Sequence, residues 1–167
     1  MNSLIQGLGV VSCDGDGRTI TFERHLDKAV AKVWAALTVP ERVADWLAHA
    51  EIDLRVGGVF RLSFPDQNYT MTGQIIELEP QRVITWTWPH PEHPDSVVRW
   101  ELISEGSGCG LRLTQTRLGP SHFINVAAGW HTHLEGLAGA IEGICTPWRA
   151  QLERETAKLY AGLSDDC

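Results

Sequence analysis

The chain is short of basic residues: 14 Lys and Arg stand against 21 Asp and Glu, for a formal net charge of −7. The basic side chains are also dispersed along the sequence rather than clustered. Because nucleic acids and anionic membranes are bound mainly by clustered Lys and Arg, the sequence argues against both kinds of partner.

Long apolar runs and cysteine motifs are also missing. No stretch approaches the roughly 18 apolar residues of a membrane-spanning helix, and the opening segment lacks the basic region and the apolar run of a signal peptide. The four cysteines are widely spaced, with no CxxC pair and no Cys/His cluster at zinc spacing. We therefore expect a soluble, cytoplasmic protein that holds no metal ion and no cofactor.

The familiar catalytic motifs are absent as well. The sequence has no GxSxG elbow, no Walker loop, no HExxH motif and no pair of carboxylates that the pattern places on one inward face. An enzyme that works by shaping a pocket around one or two polar groups stays open.

What the sequence does have is tryptophan, with seven Trp against four Phe and two Tyr. A chain of 167 residues fits one domain, 1–167, with a core at 18–144 and a C-terminal helical extension at 145–167. That length affords a sizeable core or an internal cavity. The tryptophans lie at positions 34, 46, 86, 88, 100, 130 and 148.

The N-terminal third predicts a turn at 13–17, a strand and two helices. Alternation over 18–26 indicates the strand, and Asp27 is placed to cap the helix that follows. Pro40 then occupies the first turn of a second, short helix.

From Glu51 to Arg117 the period of the apolar residues changes to two, which indicates strands. Gly57 and Gly58 predict a tight turn between two of them. Short loops between consecutive strands favour an antiparallel meander. The strand candidates are 60–64, 69–78, 82–88, 97–104 and 111–117.

Three of these strands place bulky residues on one face only, so the sheet needs a cover. A helix beginning near His122 supplies it, with an apolar stripe from Trp130 to Ile144, and after the break at Pro147 a last helical segment follows at 148–163. The pattern predicts an α+β fold in which a curved antiparallel sheet grips a long C-terminal helix.

Four segments resemble the bacterial SRPBCC proteins, which share a START-like fold with birch-pollen-type allergens. These are Lys32–Leu47, Asp53–Arg61, Thr72–Pro80 and Ala128–Leu134, and the match extends over residues 18–144. Within this superfamily the chain is most similar to the branch named after the activator of the 90-kDa heat-shock-protein ATPase. The resemblance implies a helix-grip fold with a hydrophobic cavity between sheet and long helix. Many relatives in this branch are dimers, so it also implies a homodimer, which nothing in the residues themselves indicates.

The residues that match the family are structural. Trp34, Pro40 and Trp46 match the helix pair, Gly57 and Gly58 the hairpin, and Trp130 the start of the gripping helix.

Residues on the predicted inner face of the sheet and on the covering helix are the candidate ligand contacts. Indole side chains there offer a large apolar area, and they either line the cavity or fill the core. Gln115 and Arg117 continue the inward face if their strand stays regular, whereas a bulge would leave both in solvent. The candidates are Phe60, Leu62, Met71, Trp86, Trp88, Trp100, Leu113, Gln115, Arg117, Trp130, His133, Leu134 and Leu137.

The histidines divide into two groups. His133 lies near the apolar face of the covering helix and is a candidate cavity donor or general base, although a structural role is favoured. His131 is expected on the surface, paired with Glu135. His90 and His93 belong to a proline-rich loop, for which a stiff, solvated loop over the cavity entrance is favoured over a weak metal site with Glu92.

Three functions remain from the sequence. The preferred one is binding of a small apolar or aromatic molecule between sheet and helix. A cofactor-independent cyclase, dehydratase or hydrolase that uses His133, Gln115 or Arg117 is the second. The third is a stress-related or chaperone-associated interaction module.

Overall fold

Eight strands form one antiparallel sheet in the part of the chain that the computed structural model describes, residues 7–15, 17–145 and 147–163. The order across the sheet is β1-β2-β8-β7-β6-β5-β4-β3, so hairpin pairs lie at both edges. The strands are β1 (Val10–Asp14), β2 (Gly17–Leu26), β3 (His49–Ile52), β4 (Val59–Phe64), β5 (Tyr69–Glu79), β6 (Val83–Thr87), β7 (Val97–Glu105) and β8 (Gly108–Leu118).

Strand β1 was not predicted from the sequence. It pairs with β2 in a register that sets Val10 opposite Thr21 and Asp14 opposite Gly17, so Cys13, Asp14 and Gly17 of the predicted turn at 13–17 lie in strands. Val10 is 69% exposed and only its neighbour Val11 packs against the core, so alternation along this short segment was too weak to reveal a strand. Backbone hydrogen bonds to β2 hold this edge strand in the sheet. Because these bonds do not depend on side chains, the sequence pattern does not reveal them.

The helices are α1 (Val30–Thr38), α2 (Pro40–Ala44), α3 (Phe123–Ile141) and α4 (Ala150–Leu163). The helix pair α1 and α2 follows β2 as expected, with Pro40 in the first turn of α2. The predicted cap at Asp27 is wrong: α1 begins after Ala29 without a side-chain cap. The Asp27 carboxylate lies 3.2 Å from Nε2 of His25 instead.

Between Asp53 and Val59 the chain turns on the two predicted glycines. Gly57 has a φ of 85°, in the left-handed region that favours glycine. A Cβ on Gly58 would overlap the carbonyl oxygen of Asp53. The turn therefore requires both residues, for different reasons.

The covered face of the sheet is packed with large side chains. Trp86 stacks on Phe60 with ring centroids 3.9 Å apart, and Trp100 contacts both Trp46 and Trp130 edge to face. The opposite face carries ion pairs such as Arg112 with Glu23. The predicted one-sided sheet is confirmed, and α3 and the helix pair cover its apolar side.

The C-terminal extension folds back on α3. The covering helix ends at Ile141, and Ile144, which was predicted to continue its stripe, is 60% exposed. Helix α4 packs against α3 through Leu152, Thr156 and Tyr160, which are buried. Within the described ranges no helix has both the length and the apolar character needed to cross a membrane.

Candidate functional site

A cavity of about 280 Å³ lies between α3 and the end of the sheet where β4, β5 and β6 meet the loop 88–96. Five aromatic side chains form much of its wall, namely Phe64, Tyr69, Trp88, Trp130 and Trp148. A larger concavity of about 650 Å³ lies on the outer face of the sheet, but charged residues such as Glu23 and Arg112 line it. The aromatic cavity is therefore the candidate site.

The aromatic rings of the wall support one another. Trp88 and Trp130 meet edge to face with centroids 5.6 Å apart, and Phe64 stacks on Tyr69 at 5.9 Å. Trp148, in the connection between α3 and α4, lies 4.6 Å from the ring of His133. Trp148 is 44% exposed, so the α3–α4 connection contributes a partly open side of the cavity.

A buried polar chain fixes the inner end of the cavity. The indole N–H of Trp130 donates to Oε1 of Gln115 at 2.6 Å, and Nε2 of Gln115 donates to Oγ of Ser96 at 2.9 Å. Gln115 and Ser96 are fully buried. Both ends of the amide are thus satisfied by protein groups, which a buried polar side chain requires.

Gln115 and Arg117 face opposite ways, because β8 loses its regular alternation between them. Gln115 points inward, whereas Arg117 is exposed, has a φ of 59° and reaches the carbonyl oxygen of Asp95 at 3.4 Å. The inward placement of Arg117 is therefore wrong. The left-handed backbone at Arg117 turns its side chain outward and brings Leu118 into the core.

His133 is held as one tautomer. Its Nδ1 lies 3.1 Å from the carbonyl oxygen of Trp46, which can only accept, so Nδ1 carries the proton. Burial lowers the pKa of His133 to about 4, against a small opposing effect of that hydrogen bond. The neutral ring lines the cavity, and its Nε2 has no hydrogen-bond partner among the described residues.

His131 is buried, which makes the predicted surface pair with Glu135 wrong. Helix α4 covers this side of α3 and places the Tyr160 hydroxyl 3.3 Å from Nδ1 of His131. Burial, and then the positive charge of Arg24, lower the pKa of His131 to about 4. The sequence pattern of α3 alone could not reveal a face that a later helix covers.

The loop 88–96 is less solvated than predicted. His93 is buried, and its ring stacks on His90 with centroids 4.6 Å apart and planes 16° apart. His122, just before α3, lies 4.5 Å from His90. All three histidines line the cavity, so the loop does lie over it, as the sequence predicted.

Glu92 anchors this histidine cluster from outside. Its carboxylate accepts from the Ser121 hydroxyl at 2.9 Å and from Nδ1 of His122 at 2.7 Å, and these hydrogen bonds lower the pKa of Glu92. Burial, followed by the charges of His90 and His122, lowers the pKa of His93 to about 4.

No three His, Cys, Asp or Glu side chains are placed to hold a metal ion within residues 7–15, 17–145 and 147–163. The stacked rings of His90 and His93 give a physical reason. A zinc–nitrogen bond of roughly 2.0–2.1 Å needs the ion close to the plane of each imidazole ring, and two stacked, nearly parallel rings cannot both meet that condition for one ion.

The predicted contact residues separate into three groups. Trp88, Gln115, Trp130 and His133 line the cavity. Arg117 is exposed on the surface. The rest lie in the packed core, namely Phe60, Leu62, Met71, Trp86, Trp100, Leu113, Leu134 and Leu137.

The lining residues that the sequence prediction missed include Phe64, Tyr69, His122 and Trp148. Phe64 and Tyr69 stand at strand ends, on either side of a short 3-10 helix at Pro65–Gln67, so alternation does not tell which way they face. Trp148 is an isolated aromatic residue directly after Pro147. Its place after this helix break is the sequence feature that could have identified it as a lining residue.

A curved antiparallel sheet that wraps a long C-terminal helix, with a cavity between them, is the helix-grip fold of the SRPBCC proteins. Within that class the chain belongs to the family of activator of Hsp90 ATPase homolog 1-like proteins, whose model matches residues 27–142. Proteins of this fold class generally bind small hydrophobic molecules.

Among solved structures, CalU16 from Micromonospora echinospora is 29% identical, with a TM-score of 0.80 over 95% of this chain and 98% of that one. BPP1335 from Bordetella parapertussis is 28% identical, with a TM-score of 0.71 over 93% and 92% of the two chains. DynU16, described as a protein of the dynemicin biosynthetic locus, shares the fold at 24% identity, with a TM-score of 0.69 over 81% of this chain and 52% of that one. No curated protein sequence matches this chain.

Proposed function

We propose that the protein binds a small, mainly apolar aromatic molecule in the aromatic cavity between α3 and the sheet. The observation that carries this proposal is the wall itself: Phe64, Tyr69, Trp88, Trp130 and Trp148 surround about 280 Å³ of space. That volume is close to the lower end of the roughly 300–1,000 Å³ range of small-molecule sites, which favours a compound of one or two rings.

The wall is organised before a ligand arrives. Trp130 is fixed by its 2.6 Å hydrogen bond to Gln115, and the indole N–H of Trp88 donates to the Tyr69 hydroxyl at 3.3 Å. A guest therefore meets ring faces that are already oriented, so less conformational freedom is lost on binding. The fold class supports the same proposal, since it generally binds small hydrophobic molecules.

Gly129 offers a direct test, because it lines the cavity and a Cβ built on it meets no atom within 4 Å. Gly129→Leu should fill the space while leaving the helix intact. We expect the native mass spectrum of freshly purified wild-type protein to show an adduct that denaturation removes, and the Gly129→Leu variant to lack it.

Gly162→Leu is the matched control, since Gly162 lies on α4 and also has open space around it. This variant should keep the adduct. If neither the native spectrum nor a panel of aromatic compounds that quench tryptophan fluorescence reveals a ligand, the binding proposal fails and an interaction module becomes the better explanation.

A cofactor-independent enzyme is the second candidate, and the fixed tautomer of His133 is what favours it. Nδ1–H is anchored on the Trp46 carbonyl, which leaves Nε2 as an acceptor at the cavity. A pKa of about 4 is far below the value near 7 at which a base works best at neutral pH, so binding is the first choice. If the released compound is turned over, His133→Gln should abolish turnover and leave binding within about threefold, whereas unchanged turnover excludes His133 as the base.

A further inference from the structure

The tautomer of His90 is fixed by a backbone hydrogen bond. The amide N–H of Glu92 lies 3.2 Å from Nδ1 of His90. An amide N–H can only donate, so Nδ1 holds its lone pair toward it, and the neutral ring carries its proton on Nε2. Burial first, and then the neighbouring charge of His122, lower the pKa of His90, which keeps the ring neutral.

His93 reaches the same tautomer by a different route. Its Nδ1 is buried and has no partner in the described part of the chain. A buried N–H without an acceptor is costlier than a buried lone pair without a donor, so the proton resides on Nε2. Adding a second proton would create that unpaired N–H, which is consistent with the low pKa of His93.

Both rings line one end of the cavity, and an N–H···O hydrogen bond of roughly 2.9 Å tolerates an acceptor outside the ring plane, as a metal bond does not. The rings of His90 and His93 are stacked, and neither Nε2 has a hydrogen-bond partner among the described residues. Two unused N–H donors beside an aromatic wall match an oxygen acceptor attached to an aromatic ring.

The surroundings distinguish a neutral oxygen from a carboxylate. The Glu92 carboxylate is bonded to His122 at the edge of the cluster, and Glu153 also lines the cavity. No Lys or Arg is among the lining residues that the structure describes. A ligand carboxylate would meet the Glu153 carboxylate with no Lys or Arg to offset it, and the lining His122 is already bonded to Glu92, whereas a carbonyl oxygen needs only the N–H donors.

We infer that the cavity selects an aromatic carbonyl compound, whose carbonyl oxygen accepts hydrogen bonds from Nε2–H of His90 and His93. This inference rests on the proposed binding function and adds the class of ligand. It assigns the histidine loop a role in recognition.

Three compounds of matched shape test the inference, with tryptophan fluorescence as the readout. They are 2-acetylnaphthalene, its hydrocarbon analogue 2-isopropenylnaphthalene, and the anion 2-naphthoate. We expect the ketone to bind about tenfold more tightly than the hydrocarbon, as one or two buried hydrogen bonds provide, and more tightly than the carboxylate.

The outcomes separate the inference from the function on which it rests. Equal affinity for the ketone and the hydrocarbon overturns the carbonyl inference and leaves aromatic binding standing. Tightest binding of the carboxylate overturns it as well. If none of the three compounds binds, both the inference and the proposed function fail.

Substitution of the donors supplies the second test. His90→Phe and His93→Phe keep a flat ring and remove the N–H, so each should cut the preference for the ketone to about twofold and leave the hydrocarbon's affinity unchanged. His49→Phe, on the exposed edge strand β3, is the control. Because His93 is buried and its variant could fail to fold, His90→Phe alone is decisive, and an undiminished ketone preference in it overturns the proposal.

Nitrogen NMR of the imidazole rings tests the premise without a substitution. Long-range proton–nitrogen correlations distinguish a ring protonated at Nδ1 from one protonated at Nε2. We expect His90 and His93 at pH 7 to be protonated at Nε2 only, and a proton on Nδ1 of either ring overturns the proposal.

Discussion

At the scale of single residues, Gln115 connects the cavity to the core. Its amide oxygen accepts from Trp130, its nitrogen donates to Ser96, and none of the three side chains is exposed. A buried pair of hydrogen bonds contributes modestly when made and costs more when one partner is left behind. The position therefore tolerates few substitutions even though it carries no charge.

Gln115→Met is a close match in volume and replaces the amide with an apolar side chain. It leaves the Trp130 N–H and the Ser96 hydroxyl without their partner, so we expect the free energy of unfolding to fall by about 2 kcal/mol in urea denaturation. Thr116→Met, on the opposite face of β8, is the control and should change it by less than about 0.5 kcal/mol. An unchanged stability of the Gln115 variant would show that water replaces the amide.

Alternation in β8 left open whether Gln115 and Arg117 both face inward or both lie in solvent, and the structure separates them, with Gln115 buried and Arg117 exposed. The reason is physical: a residue with a φ of 59° breaks the period of two, and no turn residue marks the position. Strand alternation selected Trp88, and the apolar stripe of α3 selected Trp130, but neither pattern could tell them from Trp86 and Trp100. All four face the same layer, and the position along the helix decides which of them borders empty space.

At the scale of elements, one side chain of α4, that of Tyr160, connects this helix to the N-terminal segment and to α3. The Tyr160 hydroxyl accepts from the backbone N–H of Gly9 at 2.7 Å and meets His131 at 3.3 Å. Burial raises the pKa of Tyr160 to about 12, so the hydroxyl stays protonated at any ordinary pH. The C-terminal helix thus stabilises the segment that leads into the N-terminal edge strand.

Tyr160→Phe removes the hydroxyl alone. We expect a loss of about 1–2 kcal/mol in the free energy of unfolding, because the Gly9 N–H is left buried without an acceptor. Hydrogen exchange should be faster at the Gly9 amide and along α4, and unchanged in β6 and β7. Uniform acceleration across the sheet would mean that α4 is part of the global folding unit and not a separately docked element.

Strands β5 and β6 approach each other closely at Gly73. A Cβ at this position would overlap the carbonyl oxygen of Thr87, which belongs to the backbone and cannot move aside cheaply. The backbone N–H of the next residue, Gln74, donates to the Thr87 hydroxyl at 3.0 Å. Close approach here thus brings β6 and the start of the histidine loop against β5.

Gly73→Ala should therefore separate the two strands, lower the free energy of unfolding by about 2–3 kcal/mol and weaken ligand binding at the cavity. Gly162→Ala, at an exposed position of α4, is the control and should raise stability by up to about 1 kcal/mol through helix propensity. Thermal unfolding of the two variants checks both signs. A neutral Gly73→Ala would show that the strands can shift without cost.

Prediction of elements from the sequence succeeded where burial imposes a period and failed where it does not. Strands β4, β5 and β7 and helix α3 each bury one face, so their spacing was informative. Edge strand β1 and the loop 88–96 have no such period. His93 is buried because an irregular loop folds over the cavity, and His131 because a distant helix covers it.

At the scale of the whole molecule, the layer between sheet and helix is packed along most of its length and open at one end. Phe60, Trp86 and Trp100 fill the middle, and the cavity begins where Trp88 and Trp130 meet the histidine loop. The rigid core holds the aromatic wall in place, while the loop and the α3–α4 connection supply the polar and open sides. Three histidines in and around this region are also held in neutral form, of which His93 and His131 are buried and His133 is half-buried.

Those three histidines make the whole fold sensitive to acid. His93, His131 and His133 each have a pKa lowered to about 4 in the folded state, chiefly by burial. A histidine in the unfolded chain has a pKa of about 6.5. Between these values the unfolded state binds more protons than the native state, so stability rises with pH across this window and is lost as the pH falls from about 6.5 to 4.

The expected result is a steep fall of the urea midpoint between pH 6.5 and pH 5. Each of these histidines contributes at most about 1.4 kcal/mol per pH unit, so the three supply up to three protons of slope, and the lowered pKa of His90 adds in the same direction. The raised pKa of His25, from its hydrogen bond to Glu105, acts in the opposite direction but belongs to an exposed side chain. His131→Phe removes one of the three groups and should lower the slope by about one proton. A wild-type slope of one proton or less would mean that the histidines are protonated in the native state, which would also remove the neutral donors on which recognition of a carbonyl depends.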